Sequence, residues 1–243
     1  MTQPFPPVTS RGEPEPQLID YTPLARRVDV WWCDLRSAAA AWPNLGSCLS
    51  ADERARAARF GTPELRERYI TGRSLLRRVL TRYVGGAPED VPIRRGLRGR
   101  PQLDALAGPD FNVTHTGLTA VFAIGHHLAP GQRVGVDVES AARTLNVARL
   151  ARKLLTAEEH DAMSSCANAD DARLRFLRTW TCKEAMSKAT GDGLRAPFGR
   201  IAVAPDEPPR VLAGPPPYTP EAWQLSRVPL PGDAIVTVAV WQS

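Results

Sequence analysis

A chain of 243 residues, 43% hydrophobic and 23% charged, has the length and make-up of one large soluble domain or two small ones, each with its own core. No apolar run approaches the roughly 18–20 residues that a membrane-crossing helix needs, so no membrane partner is expected. The four cysteines (Cys33, Cys48, Cys166 and Cys182) form neither a CxxC pair nor a Cys/His cluster of metal-ligand spacing, which fits a reduced cytoplasmic location.

Residues 1–23 are proline-rich and lack an apolar stretch, so a flexible arm is expected there and not a secretory signal. Val28–Cys33 is β-rich and reads as a strand. Ser50-Ala-Asp-Glu53 is a capping-box pattern that opens a helix running to about Phe60. Thr62-Pro63 starts a second helix, carried by Leu65, Tyr69, Leu76, Leu80 and Val84 at helical spacing and stopped by Gly85-Gly86. The segment from Ile93 to Pro109 is rich in turn residues. Ala120–Gly125 and Arg133–Glu139 read as strands around a Pro130-Gly131 loop. A second capping box, Thr156-Ala-Glu-Glu159, opens a helix to about Cys166. A long helix then spans about Asp171 to Ala189 and ends at Gly191-Asp-Gly193. Strands at 200–204, 223–228 and 234–241 close the chain. The order strand, helices, strands occurs twice, which predicts an α+β fold of two halves, 24–127 and 128–243, joined near residues 125–133. A cleft between halves is a common place for a ligand site.

Charge is unevenly spread over a net +5. Nine arginines fall between Arg54 and Arg82, against only Glu64 and Glu67 in that span. Such a face attracts an anionic partner or is simply solvated. Nucleic acid is a competing partner for a basic face, but no interleaved aromatics and no zinc finger accompany it. Only three of the 31 basic residues are lysines, and two of them, Lys183 and Lys188, share one short segment. Lysine is a compact point charge where arginine is a planar fork, so that segment has a use for an ammonium.

Three segments carry candidate chemistry. In Gly135-Val-Asp137-Val-Glu139, residues two apart share a strand face, so Asp137 and Glu139 point together while Val136 and Val138 point to the core. Two carboxylates on one face repel unless solvated or bridged by a cation, and hard oxygen ligands suit Mg²⁺. An exposed acidic strand end is the alternative. In Trp180-Thr-Cys-Lys183-Glu184-Ala-Met-Ser-Lys188, Trp180, Glu184 and Lys188 stack on one helix face. Glu184 and Lys188 form either a surface i,i+4 pair or, beside a half-buried indole, a site for a metal or phosphate. In Phe111-Asn-Val-Thr114-His115-Thr-Gly117, a histidine in a Thr- and Gly-bearing turn has either a phosphate-binding or a structural role. His126, His127 and His160 have nothing convergent around them.

Taken in this order, Gly99-Arg100-Pro101, Phe111 to His115, Gly135 to Glu139 and Trp180-x-x-Lys183-Glu184-Ala-x-x-x-Lys188 resemble the signature set of the Sfp-type 4′-phosphopantetheinyl transferases, over roughly residues 28–205. The resemblance implies an intramolecular pseudo-dimer with its active site between the halves, and transfer of the phosphopantetheine arm of coenzyme A to a carrier-protein serine with release of 3′,5′-adenosine diphosphate. It implies Mg²⁺ held by Asp137, Glu139 and Glu184, and phosphate contacts from Thr114, His115 and Lys188. Arg56, Arg59, Arg73 and Arg100 would meet the nucleotide phosphates, Arg100 standing where the family often has lysine. Glu184 is the candidate general base, with Asp137, His115 and Lys188 the other catalytic candidates. The Trp and Lys-Glu-Ala form resembles the subgroup serving synthetases of secondary metabolism. An acidic carrier protein as partner, no nucleic acid, and a monomer complete the expectation. Short of the resemblance, the three acids equally suit a Mg²⁺-dependent phosphate-ester hydrolase, and the basic helices a non-catalytic anion-binding protein.

Overall fold

The computed structural model describes residues 16–19, 27–42, 44–96, 98–104 and 108–242. Apart from residues 16–19, the arm expected over 1–23 lies outside the described residues. The chain runs β1 (Gln17–Leu18), β2 (Val28–Asp34), α1 (Leu35–Ala41), α2 (Ala51–Ala57), α3 (Pro63–Val84), β3 (Ile93–Arg95), β4 (Pro101–Leu103), β5 (Asp110–Thr116), β6 (Thr119–Gly125) and β7 (Gln132–Ser140). It continues through α4 (Val147–Leu154), α5 (Ala157–Ser164), α6 (Ala169–Thr190), β8 (Ala202–Ala204), β9 (Arg210–Ala213), β10 (Trp223–Val228) and β11 (Ala234–Gln242). The fold is mixed α and β. From β2 to β6 and again from β7 to β11 the element order is the same, and the strand orders β2-β6-β5 and β7-β11-β10 match.

Both capping boxes form. Ser50 and Thr156 accept from the amides of Glu53 and Glu159, and each glutamate reaches back to the cap amide. These glutamates then do more than cap. Glu53 Oε2 accepts from Arg77 Nε of α3 at 2.7 Å, and Glu159 Oε2 accepts from Lys183 Nζ of α6 at 2.5 Å. Both pairs are 24 residues apart in sequence, and both cations are fully buried on 22-residue helices. All three Lys183 protons are used, the other two by the carbonyls of Leu154 at 2.7 Å and Phe198 at 2.9 Å. An ammonium dropped into a core is tolerable only when so matched.

The two sheets pack face to face over a valine-rich core, with Val28, Val30, Val121, Val134, Val136, Val138, Val236, Val238 and Val240 from both sides. Helix α3 covers the outer face of the first sheet through Leu75, Leu76, Val79 and Leu80, while Leu65 of the expected apolar stripe is exposed. Helix α6 covers the second sheet through Cys182, Ala185 and Met186 against Ala239 and Leu225. Gly135 lets α6 lie directly on β7: a Cβ there would fall inside the Ala185 carbonyl oxygen and 2.8 Å from the Ala189 amide.

The sheets also meet edge to face. Strand β5 places Asp110, Asn112 and Thr114 on one face, and these side chains close the edge of β7. Asp110 Oδ2 accepts from the Val134 amide at 2.7 Å, Asn112 Oδ1 accepts from the Val136 amide at 3.1 Å, and the Thr114 hydroxyl donates to Asp137 at 3.1 Å. The turn expected around His115 is therefore the end of a strand, and the reversal falls at Gly117 with φ 53°. The turn-rich segment from Ile93 likewise contains the small hairpin β3–β4.

Lys183→Met leaves the Glu159 carboxylate buried without its cation; unfolding by denaturant is expected to show a loss of about 3–5 kcal/mol, and a loss below about 1 kcal/mol would contradict this account.

Candidate active site

Strand β7 sends Val134, Val136 and Val138 into the core, so Gly135, Asp137 and Glu139 face α6. Because α6 presses on Gly135, Glu184 and Lys188, one helical turn apart, come to the same place. Lys188 Nζ donates to Asp137 Oδ1 at 2.6 Å and to the Thr114 hydroxyl at 2.9 Å. The other Asp137 oxygen, Oδ2, is buried and has no hydrogen-bond partner. Arg143 donates to Glu139 Oε1 from the rim of the site. Burial raises the Glu184 carboxyl above its usual range, and the Asp137 charge adds to the rise. Burial also raises Glu139, against the pull of Arg143, with Asp137 again adding to it.

This arrangement has a use for a cation. An orphaned carboxylate oxygen and two neighbouring carboxyls pushed up by desolvation and by Asp137 describe acid groups short of positive charge. Among the described residues no group of three carboxylate, imidazole or thiolate side chains is arranged to hold a metal ion. Lys188 and Arg143 each occupy one carboxylate oxygen here. The donor set fits Mg²⁺ of the kind that takes one or two carboxylates and finishes its shell with water and substrate phosphate.

Two cavities adjoin here. The first, of about 670 Å³, is lined by Thr114, His115, Asp137, Glu139, Arg143 and Lys188, among others. The second, of about 400 Å³, lies under α3 and is lined by Arg56, Tyr69, Arg73, Arg95 and Pro101, among others. Arg68, Val113, Thr114 and His115 line both. His115 keeps an exposed edge, while desolvation within the cavity lowers its pKa, with repulsion from Arg68 and Lys188 adding to the effect. In the second cavity burial opposes the charge on Arg95, and Arg56 and Arg73 oppose it further. Glu53 Oε1 holds the Arg73 Nε at 2.9 Å, and the Arg56 guanidinium stands 5.7 Å over the Tyr69 ring. Three guanidiniums that repel one another form a seat for a strongly anionic group.

The structure thus gathers Thr114, His115, Asp137, Glu139 and Lys188 at one cavity and Arg56 and Arg73 at the other. Glu184 is half-buried and lies within electrostatic reach of Asp137, Lys188 and Glu139, outside both linings. Arg59 is exposed and lines neither. Arg100 lines neither and is spent on a bidentate pair with Asp110, at 2.8 and 2.7 Å. Lining residues assigned no site role from the sequence include Arg68, Tyr69, Arg95 and Arg143. The first two share the helix face of Gly72 and Arg73 by their spacing, a signal present in the sequence. His126, set aside earlier, stands 3.2 Å from Asp29, against Tyr83.

Sequence comparison shows the family. The family model "4′-phosphopantetheinyl transferase, N-terminal" matches residues 34–127, and the "4′-phosphopantetheinyl transferase superfamily" model matches residues 133–239. The 4′-phosphopantetheinyl transferase HetI of Nostoc sp. is 32% identical over 93% of this chain and 94% of its own length. The 4′-phosphopantetheinyl transferase Sfp of Bacillus subtilis is 25% identical over 65% of this chain and 66% of its own. The L-aminoadipate-semialdehyde dehydrogenase-phosphopantetheinyl transferase of Xenopus laevis is 29% identical over 70% of this chain and 57% of its own. The chain belongs to the 4′-phosphopantetheinyl transferase superfamily and is of the Sfp type. That membership makes it a transferase and replaces the hydrolase and passive-binding alternatives. No described helix is long and apolar enough to cross a membrane.

Glu139 and Glu184 have folded-state pKa values above the ordinary 4.5, so folding favours their protonated forms. Their contribution to stability is full below about pH 4.5 and is lost as pH rises through the raised values. Thermal melts of the ligand-free protein from there to neutrality are expected to show this decline, flattened in Glu139→Gln/Glu184→Gln. An equal slope in both proteins would contradict the assignment.

Proposed function

We propose that the chain transfers the 4′-phosphopantetheine group of coenzyme A to a serine of an acyl or peptidyl carrier protein, releasing 3′,5′-adenosine diphosphate in a Mg²⁺-dependent reaction. The observation that carries this reading is the pair of adjoining cavities, one holding Asp137, Glu139 and Lys188 and the other lined by four arginines, Arg56, Arg68, Arg73 and Arg95. Coenzyme A has the matching charges: a diphosphate at one end of its ribose and a 3′-phosphate beside it. The repeated element order and the twin buried ion pairs support two similar halves, 24–127 and 128–243, arranged as an intramolecular pseudo-dimer with the site in the cleft between them. A chain that supplies both halves itself is expected to act as a monomer in the cytoplasm. The Trp180, Lys183-Glu184-Ala form supports a role with synthetases of secondary metabolism.

In this reading Arg56, Arg73 and Arg95 seat the 3′-phosphate, with Arg59 a more distant charge. Thr114, His115, Arg68 and Lys188 hold the diphosphate. Asp137, Glu139 and Glu184 would together supply the carboxylates for Mg²⁺, which when bound would neutralise the diphosphate and orient it. The serine Oγ attacks the β-phosphorus, and the bond from that phosphorus to the bridging oxygen breaks. Glu184, the candidate general base, receives the serine proton. Lys188 is placed to steady charge on the leaving phosphate once ligand draws it from Asp137. The arginine-rich face offers an acidic carrier protein complementary charge, which speeds encounter at low salt.

Mixing the protein with coenzyme A, Mg²⁺ and an apo carrier protein is expected to add one phosphopantetheine arm to the carrier, read by mass spectrometry. Asp137→Ala is expected to abolish transfer with the fold intact by circular dichroism, and near-normal transfer in that variant would overturn the metal assignment. Arg95→Ala is expected to raise the KM for coenzyme A by about tenfold, worth about 1.4 kcal/mol, with kcat little changed. An unchanged KM would remove Arg95 from the nucleotide site.

A further inference from the structure

The last turn of α6 carries Lys188, and its closing carbonyls have no partners within the helix. One of them is the Lys188 carbonyl itself, and Arg100 Nε donates to it at 3.0 Å. The same guanidinium donates from Nη1 and Nη2 to both Asp110 oxygens, and from Nη2 to the Val134 carbonyl at 2.8 Å. Asp110 in turn accepts from the Val134 amide at 2.7 Å. Four of the five Arg100 N–H groups are thus committed, and its side chain is 7% exposed. A cation at a helix C-terminus also complements the negative end of the dipole.

We propose that Arg100 is a positioning residue for Lys188 and no phosphate ligand: with Asp110 it forms a strut that ties the end of α6 to β5 and β7. The strut sets where the Lys188 ammonium stands relative to Asp137 and Thr114, which face it across the same seam. The inference rests on the reading of Lys188 as a phosphate contact. The planar fork is essential to it, because a lysine at position 100 cannot grip both Asp110 oxygens and also reach two carbonyls on separate elements.

The test is steady-state transfer to an apo carrier protein with coenzyme A varied, for Arg100→Ala, Arg100→Lys, Asp110→Asn and Arg100→Ala/Asp110→Asn, with melting curves for each. Displacing a catalytic ammonium is expected to lower kcat by about a hundredfold. The KM for coenzyme A should stay within about twofold, since no substrate contact is lost. Arg100→Lys is expected not to rescue, and the double variant to be no slower than the slower single, as for groups acting as one unit. If Arg100→Ala does not fold, Arg100→Lys, which keeps the charge, supplies the same split. A KM raised tenfold or more with kcat intact, activity restored by lysine, and an indifferent Asp110→Asn would together make Arg100 a phosphate ligand and overturn the proposal. A Lys188→Ala control with full activity would instead overturn the role of Lys188, and with it the reason for the strut.

Discussion

The closure of one strand's edge by the side chains of another is the constraint on which the site depends. Between β5 and β7 there is no backbone ladder: Asp110, Asn112 and Thr114 supply the oxygens at the seam. Buried amides must find acceptors, and here a carboxylate and a carboxamide provide them. Because Thr114 bonds Asp137 where the seam reaches the cavity, the joint between the sheets and the floor of the site are one structure. Gly135 performs the matching task on the other side, letting α6 approach until Lys188 meets both Thr114 and Asp137.

This seam also explains what was legible in the sequence. The capping boxes at Ser50 and Thr156 were plain, because their pattern is local and each residue acts within one turn. The Val136 and Val138 face was equally plain from alternation, as was the Trp180, Glu184, Lys188 stripe from helical period. Strand β5 was hidden for a physical reason. Asp110, Phe111, Asn112, Val113 and Thr114 do alternate, but with only two apolar residues, and the polar side faces inward to bond β7, which only the fold shows. Arg100 was expected at the nucleotide phosphates, because only the fold brings Asp110, Val134 and Lys188 around it. The internal repeat was masked by chemistry: the same 24-residue separation joins Glu53 to an arginine and Glu159 to a lysine.

Charge in this molecule divides into two kinds. Arg77, Arg100 and Lys183 are answered by acids in the protein and hold elements in place. In the second cavity Arg56 and Arg73 oppose the charge on Arg95, and among the described residues Glu53 stands against Arg73 in an ion pair. In the first cavity Asp137 and Glu139 stand beside Arg68, Arg143 and Lys188, with Glu184 just outside the lining, so charges of both signs meet there. An arginine-rich cavity thus adjoins one in which acids and bases are mixed.

Strand edges are where sheets recruit unwanted neighbours, since their free amides and carbonyls template further pairing. In the sheets that hold the site, β5 and β7 are both edge strands, and the side-chain face of β5 is turned onto the edge of β7. The seam therefore withdraws one adhesive edge from solution in the act of joining the sheets. Any change that opened it would bare those amides and disturb Thr114 and Asp137 together, so solubility and the candidate site lean on the same few side chains.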